Sequence, residues 1–196
     1  MKKLSATAKV LYTITKVISV LFVVAACIIV AASVLLFAFG NDSMVEFTGL
    51  GFGNLEIQLK ETEVSMELIR AVFMHEMLPA LLLLVLGWVV VRMIGQILLP
   101  MKEGRPFDTA VSVTMKKLCW TTLIGGFIAQ TAAIACTTKM FQVCDLSALL
   151  MNDKIAGVKL NMEMDMSFLV LALIWYMLSC VFRYGEELQK QSDETL

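Results

Sequence analysis

From Val17 to Phe39 no residue carries a charge. A bilayer's hydrocarbon core is about 30 Å thick, and a helix rising about 1.5 Å per residue needs roughly 20 apolar residues to cross it. The run meets that length. Three more do so or come close: Met77 to Leu99, broken only by Arg92; Leu118 to Thr138; and the shorter Met166 to Phe182, held between Asp165 and Arg183. Buried in lipid, such segments can satisfy their backbone only as helices. The chain therefore reads as an all-α integral membrane protein with four transmembrane helices, at about 17–39, 77–99, 118–138 and 166–182. Residues 1–196 read as a single four-helix membrane domain. Composition agrees, since 59% of the residues are hydrophobic and 17% charged, against about 25% charged in soluble domains. Sixteen basic residues face seventeen acidic ones. No global field attracts nucleic acid, so direct nucleic-acid binding is not expected.

Lys2, Lys3, Lys9 and Lys16 precede the first span and resemble the basic start of a signal peptide. The apolar run behind them exceeds the usual 7–15 residues of such a signal. We read it as a retained helix. Orientation follows the positive-inside rule. The N-terminal lysines, then Lys102, Arg105, Lys116 and Lys117, then Arg183 and Lys190, all fall on one side. Lys60, Arg70, Lys139, Lys154 and Lys159 fall on the other. This predicts both termini and the central loop in the cytoplasm, with two outer loops.

Those outer loops alternate apolar and polar residues with period two, the pattern of a half-buried strand. Leu55, Ile57 and Leu59 alternate with Glu56, Gln58 and Lys60, after the glycines at 49, 51 and 53. Val158, Leu160, Met162, Met164 and Met166 alternate with Lys159, Asn161, Glu163 and Asp165. An isolated hairpin is marginal in water. The expectation is a small extracytoplasmic antiparallel β element built from loops 40–64 and 152–166. Residues 61–76 read as helical, with Pro79 placed to bend the second helix near its outer end.

Within the third span, Gly125, Ala129 and Ala133 recur every four residues, with Gln130 on the same helix. Small residues at that spacing let helix backbones approach closely in lipid. A packing seam inside one bundle and a homodimer face are both open. Arg92 lies near the cytoplasmic end of the second span, where its long stem can snorkel to the headgroups. A substrate or proton site is the alternative reading of that charge. Cys136 and Cys144 fall at or beyond the outer end of the third span, where a disulfide can form. Free thiols are the alternative.

Recognisable catalytic chemistry is missing. No Walker loop, HExxH, GxSxG or GxGxxG motif occurs, and His75 is the one histidine. Met74, His75 and Met77 are soft ligands suited to Cu(I), but methionine is also an apolar filler, and no metal or cofactor is expected. The chain reads as non-enzymatic.

Two polar segments remain. The first is Gly104-Arg105-Pro106-Phe107, followed by Asp108 as a candidate helix N-cap, with prolines closing the second span. The second runs from Phe182 through Gly185, Leu188 and Gln189 to Asp193 and Thr195. At these residues the chain resembles the bacterial domain-of-unknown-function family 2975. These are four-helix membrane proteins with a Gly-x-Pro-Phe turn before the third helix and a Phe-x-x-Gly-x-x-Leu-Gln ending with an acidic tail. Where the family tends to carry an Asn and then a Leu-Arg pair, this chain has Ser112 and Met115-Lys116. The resemblance implies a bacterial plasma-membrane protein that partners a small cytoplasmic helix-turn-helix regulator. Gly104, Arg105, Pro106, Phe107, Gly185, Leu188 and Gln189 would then form the docking face. A sensor or scaffold is the expected function. The alternative is a small transporter, or an immunity-type protein against an envelope-acting toxin.

Overall fold

The computed structural model describes residues 2–39, 45–46, 49–52, 55–59, 63–64, 66–143, 155–160 and 165–194. Four long helices carry the chain: α1 (Lys2–Phe39), α2 (Met66–Lys102), α3 (Thr109–Val143) and α4 (Ser167–Glu194). Each holds a stretch long and apolar enough to cross a membrane. Their large apolar side chains point outward, with Val20, Ile28 and Val181 each more than half exposed. In water that would be untenable, but in lipid it costs nothing. The chain is a multi-pass helical membrane protein.

Helix ends depart from the expected ones. α2 runs through Pro100 to Lys102 instead of stopping at the proline. Proline removes one donor, and the helix still closes by another route. The Arg105 amide donates to the Pro100 carbonyl at 3.0 Å, and the Gly104 amide to the Met101 carbonyl at 3.2 Å. With Gly104 at φ +86°, this is a Schellman cap, in which a left-handed residue lets the chain recover the last carbonyls. α2 begins at Met66, later than the residue-61 start expected, and continues through Pro79. α4 extends past Phe182 to Glu194.

Short antiparallel strands precede α2. Val45–Glu46 (β1) pairs with Glu63–Val64 (β4). Gly49–Phe52 (β2) pairs with Leu55–Leu59 (β3), in register Gly49 to Gln58 and Phe52 to Leu55. β3 also pairs with Ile155–Leu160 (β5), between α3 and α4. Gly49 and Gly51 both lie within β2. Glu63–Val64 is extended where a helix was expected; β-branched Thr62 and Val64 weaken a helix there. Residues 161–164 of the expected second-loop strand lie outside the described residues.

Tertiary contacts divide the chain into two compact units. The first comprises residues 1–25, 84–127 and 166–196 and is a four-helix bundle. Three glycines set its helix joints. Gly87 on α2 faces the ring of Phe22 on α1, and a β-carbon there would lie 2.6 Å from Phe22 Cε1. Gly125 on α3 receives Leu86 of α2, and Gly126 receives Phe168 of α4. Phe168 also meets Phe127 edge-on at 5.0 Å between centroids. Each joint places a large side chain against bare backbone, so dispersion contacts replace the hydrophobic drive that lipid does not supply. Towards the α2–α3 turn, Ile97, Val111, Met115 and Leu118 make a buried core, with Trp175, Leu178 and Phe182 of α4 against it. The second unit, residues 26–83 and 128–165, holds the strands and the remaining helix segments. There the hydroxyls of Thr137 and Thr138 donate back to the carbonyls of Ala133 and Ile134 at 2.9 and 2.8 Å, which satisfies them within their own helix.

Candidate functional site

The α2–α3 turn and the end of α4 meet in the first unit. The turn is built from both helix ends inward. The Schellman cap closes α2 at Gly104. Asp108 caps α3: its Oδ1 accepts from the Ala110 amide at 2.9 Å, and its carbonyl from the Val111 amide at 2.9 Å. Such a side chain satisfies one of the donors left open at a helix start. Arg105 links the two ends. Its guanidinium sits 2.6 Å from Glu103 and 3.2 Å from Asp108. The hydrogen bond to Glu103, then the charge of Asp108, holds its pKa above the ordinary guanidinium value. The pair is exposed, so its part is to orient the turn more than to stabilise it.

Phe107 leaves this turn and lands on Gly185 of α4. A β-carbon at Gly185 would collide with the Phe107 ring. The ring also tilts against Phe182, centroids 5.9 Å apart at 44°. Below it, polar groups tie α3 to α4. The Thr109 hydroxyl donates to Glu186 Oε1 at 2.6 Å, and Lys190 Nζ donates to the same oxygen at 2.8 Å. The Ser179 hydroxyl donates to the Ser112 carbonyl at 3.0 Å. These groups border a groove of about 400 Å³ along α3 and α4.

Two segments singled out on sequence are therefore in contact, through Phe107 and Gly185. Gly104 and Arg105 shape the turn. Leu188 and Gln189 sit on the exposed side of α4, and Leu188 is about half exposed. Reasoning from sequence missed Thr109, Ser179 and Glu186. The spacing of Glu186 and Lys190, four apart on one helix, was the available signal for the latter. Of the α3 seam, Gly125 is filled by Leu86 of the same chain, Ala129 is buried, and Ala133 and Gln130 are half-buried. The Cys136–Cys144 pairing lies outside the described residues at Cys144.

No family model, curated protein or solved structure matches the chain.

A left-handed residue costs a side chain about 1 kcal/mol or more. Gly104→Ala is thus expected to lower stability by about 1 kcal/mol while leaving the fold intact, since open space surrounds the position. Gly104→Asn should lose less, because asparagine tolerates this conformation. Thermal unfolding in detergent would show the order glycine, asparagine, alanine.

Proposed function

We propose that this chain is a non-enzymatic membrane sensor or scaffold that works with a cytoplasmic helix-turn-helix regulator. On this reading it belongs with family 2975 and lies in the bacterial plasma membrane. Both termini and the α2–α3 turn face the cytoplasm, and the β segments lie outside. The charge count of the loops supports that orientation.

The observation that carries the reading is the seating of Phe107 on Gly185. It makes one face of two segments far apart in sequence. Beyond Phe182, α4 continues from Arg183 to Glu194, about 18 Å at 1.5 Å per residue. Tyr184 and Leu188 stand exposed on it among charged neighbours. A polar helix bearing a few apolar anchors suits docking by a small helical protein. An outer signal would act by binding one packing of the bundle better than another. The contact between turn and α4 is the natural element for such a shift.

Crosslinking in native membranes, followed by affinity capture and mass spectrometry, tests this. The wild-type chain is expected to retain a small helix-turn-helix protein. A variant carrying Gly104→Ala, Phe107→Ala and Leu188→Asp is expected to lose it while still inserting. Recovery of only the chain itself would refute the regulator reading. Reporters fused at either terminus would report an outside location if the orientation is wrong.

A further inference from the structure

A second polar site lies in the first unit, on the α1–α2 side. A cavity of about 350 Å³ opens there, lined by Tyr12, Thr15, Lys16 and Ser19 of α1 and by Arg92 and Gln96 of α2. Gly95 also borders it, and a β-carbon there would sit 3.5 Å from the Thr15 hydroxyl. None of the described residues lining it is acidic. Among the described residues, Lys16 and Arg92 meet rings in place of carboxylates. Lys16 Nζ is 5.1 Å from the centroid of Tyr12, and the Arg92 guanidinium is 5.1 Å from that of Trp88. Lys102 approaches Tyr12 as well, at 5.0 Å.

The depth of this cavity matters. Arg92 lies about 15 Å along α2 from Lys102, at 1.5 Å per residue. Lys16 belongs to the α1 segment that lines the same cavity. Two cations drawn toward hydrocarbon repel each other and lose hydration unless an anion joins them. Of the other polar lining groups, the Tyr12 and Ser19 hydroxyls and the Gln96 amide can donate to oxygen, whereas the Thr15 hydroxyl already donates to the Tyr12 carbonyl at 2.9 Å. Exposed apolar residues flank the site: Val17 and Val20 on α1 and Leu99, which also lines it, on α2. Exposed cationic heads beside exposed apolar flanks match a phosphate on a diacyl chain.

We infer that this cavity is a binding site for the headgroup phosphate of an anionic phospholipid, with Lys16 and Arg92 as its charged donors. The acyl chains would lie along the exposed apolar faces of α1 and α2. This goes beyond the regulator reading and does not depend on it. The same phosphate could arrive on a soluble ester, and the test separates the two sources.

The full chain in detergent would be titrated with phosphatidylglycerol, phosphatidylcholine or glycerol phosphate, and bound species counted by native mass spectrometry. The wild type is expected to hold one phosphatidylglycerol in clear preference to phosphatidylcholine. Each basic residue at a membrane surface contributes about fivefold, so Lys16→Gln with Arg92→Gln should weaken that binding about thirtyfold. The charge-matched pair Lys9→Gln with Lys117→Gln, outside the cavity, should leave it nearly unchanged. Lys16→Arg with Arg92→Lys should keep the preference, which separates lost charge from lost folding. A wild type without preference for phosphatidylglycerol overturns the proposal, whatever the variants do. So does an equal loss in the Lys9 and Lys117 pair, which would mean diffuse attraction only. Displacement of the lipid by glycerol phosphate at equal concentration also overturns it, by assigning the site to a soluble anion.

Discussion

Gly185→Leu is expected to unseat Phe107 and lower the stability of the bundle, and Phe107→Ala in the same chain is expected to restore much of the loss. A β-carbon at Gly185 would occupy the space of the Phe107 ring. Overpacking of this kind costs about 1–3 kcal/mol. Leucine is the better helix former by about 0.8 kcal/mol, which offsets part of that cost. The net loss is then about 1–2 kcal/mol. Phe107→Ala alone removes a ring that is 41% exposed, so it should cost less than the 3–5 kcal/mol of a fully buried phenylalanine. Together the two changes remove the collision, because leucine takes the volume the ring vacates. The double variant should then be more stable than the sum of the single losses implies, by about 1 kcal/mol or more. Unfolding in mixed micelles, run on all four chains of the cycle, measures this coupling. Strict additivity would mean that Phe107 does not rest on Gly185. Partner capture should track the same cycle if the joined face is what a regulator reads.

How far these features were legible depends on the range of the physics behind each. The four spans reflect a length threshold imposed by the bilayer, and any uncharged run such as Val17 to Phe39 reports it directly. The cap at Gly104 and the Asp108 N-cap are equally local, fixed within a few residues of backbone. Pro100 misled because the local rule is asymmetric. A proline penalises the helix through one missing donor, and near a C-terminus a Schellman cap can still close the helix beyond it. The contact between Phe107 and Gly185 was not readable as a contact. Each residue stood out in its own segment, but periodicity carries no information about residues so far apart in the chain. The cavity at Lys16 and Arg92 shows the same limit. One residue read as part of a basic leader and the other as a snorkelling arginine, and only the pairing of α1 with α2 joins them. Glu186 was missed for the same reason. Its bonds to Thr109 and Lys190 come from the packing of α4 on α3.

Adjacent glycines on α3 are expected to respond unequally to the same substitution. Gly126→Ala should destabilise the bundle strongly, whereas Gly125→Ala should be nearly tolerated. Both gain about 1 kcal/mol from replacing glycine within a helix. The difference lies in what the new methyl group meets. At Gly125 it meets Leu86 Cδ1, the far end of a side chain that can change rotamer. At Gly126 it meets Phe168, including Phe168 Cβ at 2.7 Å. A β-carbon moves only with its own backbone, so α4 would have to shift away from α3. That shift would also open the edge-on contact of Phe168 with Phe127. Overpacking that displaces backbone falls at the upper end of the 1–3 kcal/mol range or beyond it. After the propensity gain, Gly126→Ala should lose about 2 kcal/mol, and Gly125→Ala should lie within about 1 kcal/mol of wild type. Truncating Phe168 to alanine should abolish most of the Gly126 penalty and leave Gly125→Ala unaffected. Unfolding of the purified chain in mixed micelles would decide this. Equal losses at the two glycines would show that the α3–α4 joint is not the tighter one. A larger loss at Gly125 would place the rigid contact on the Leu86 side of α3.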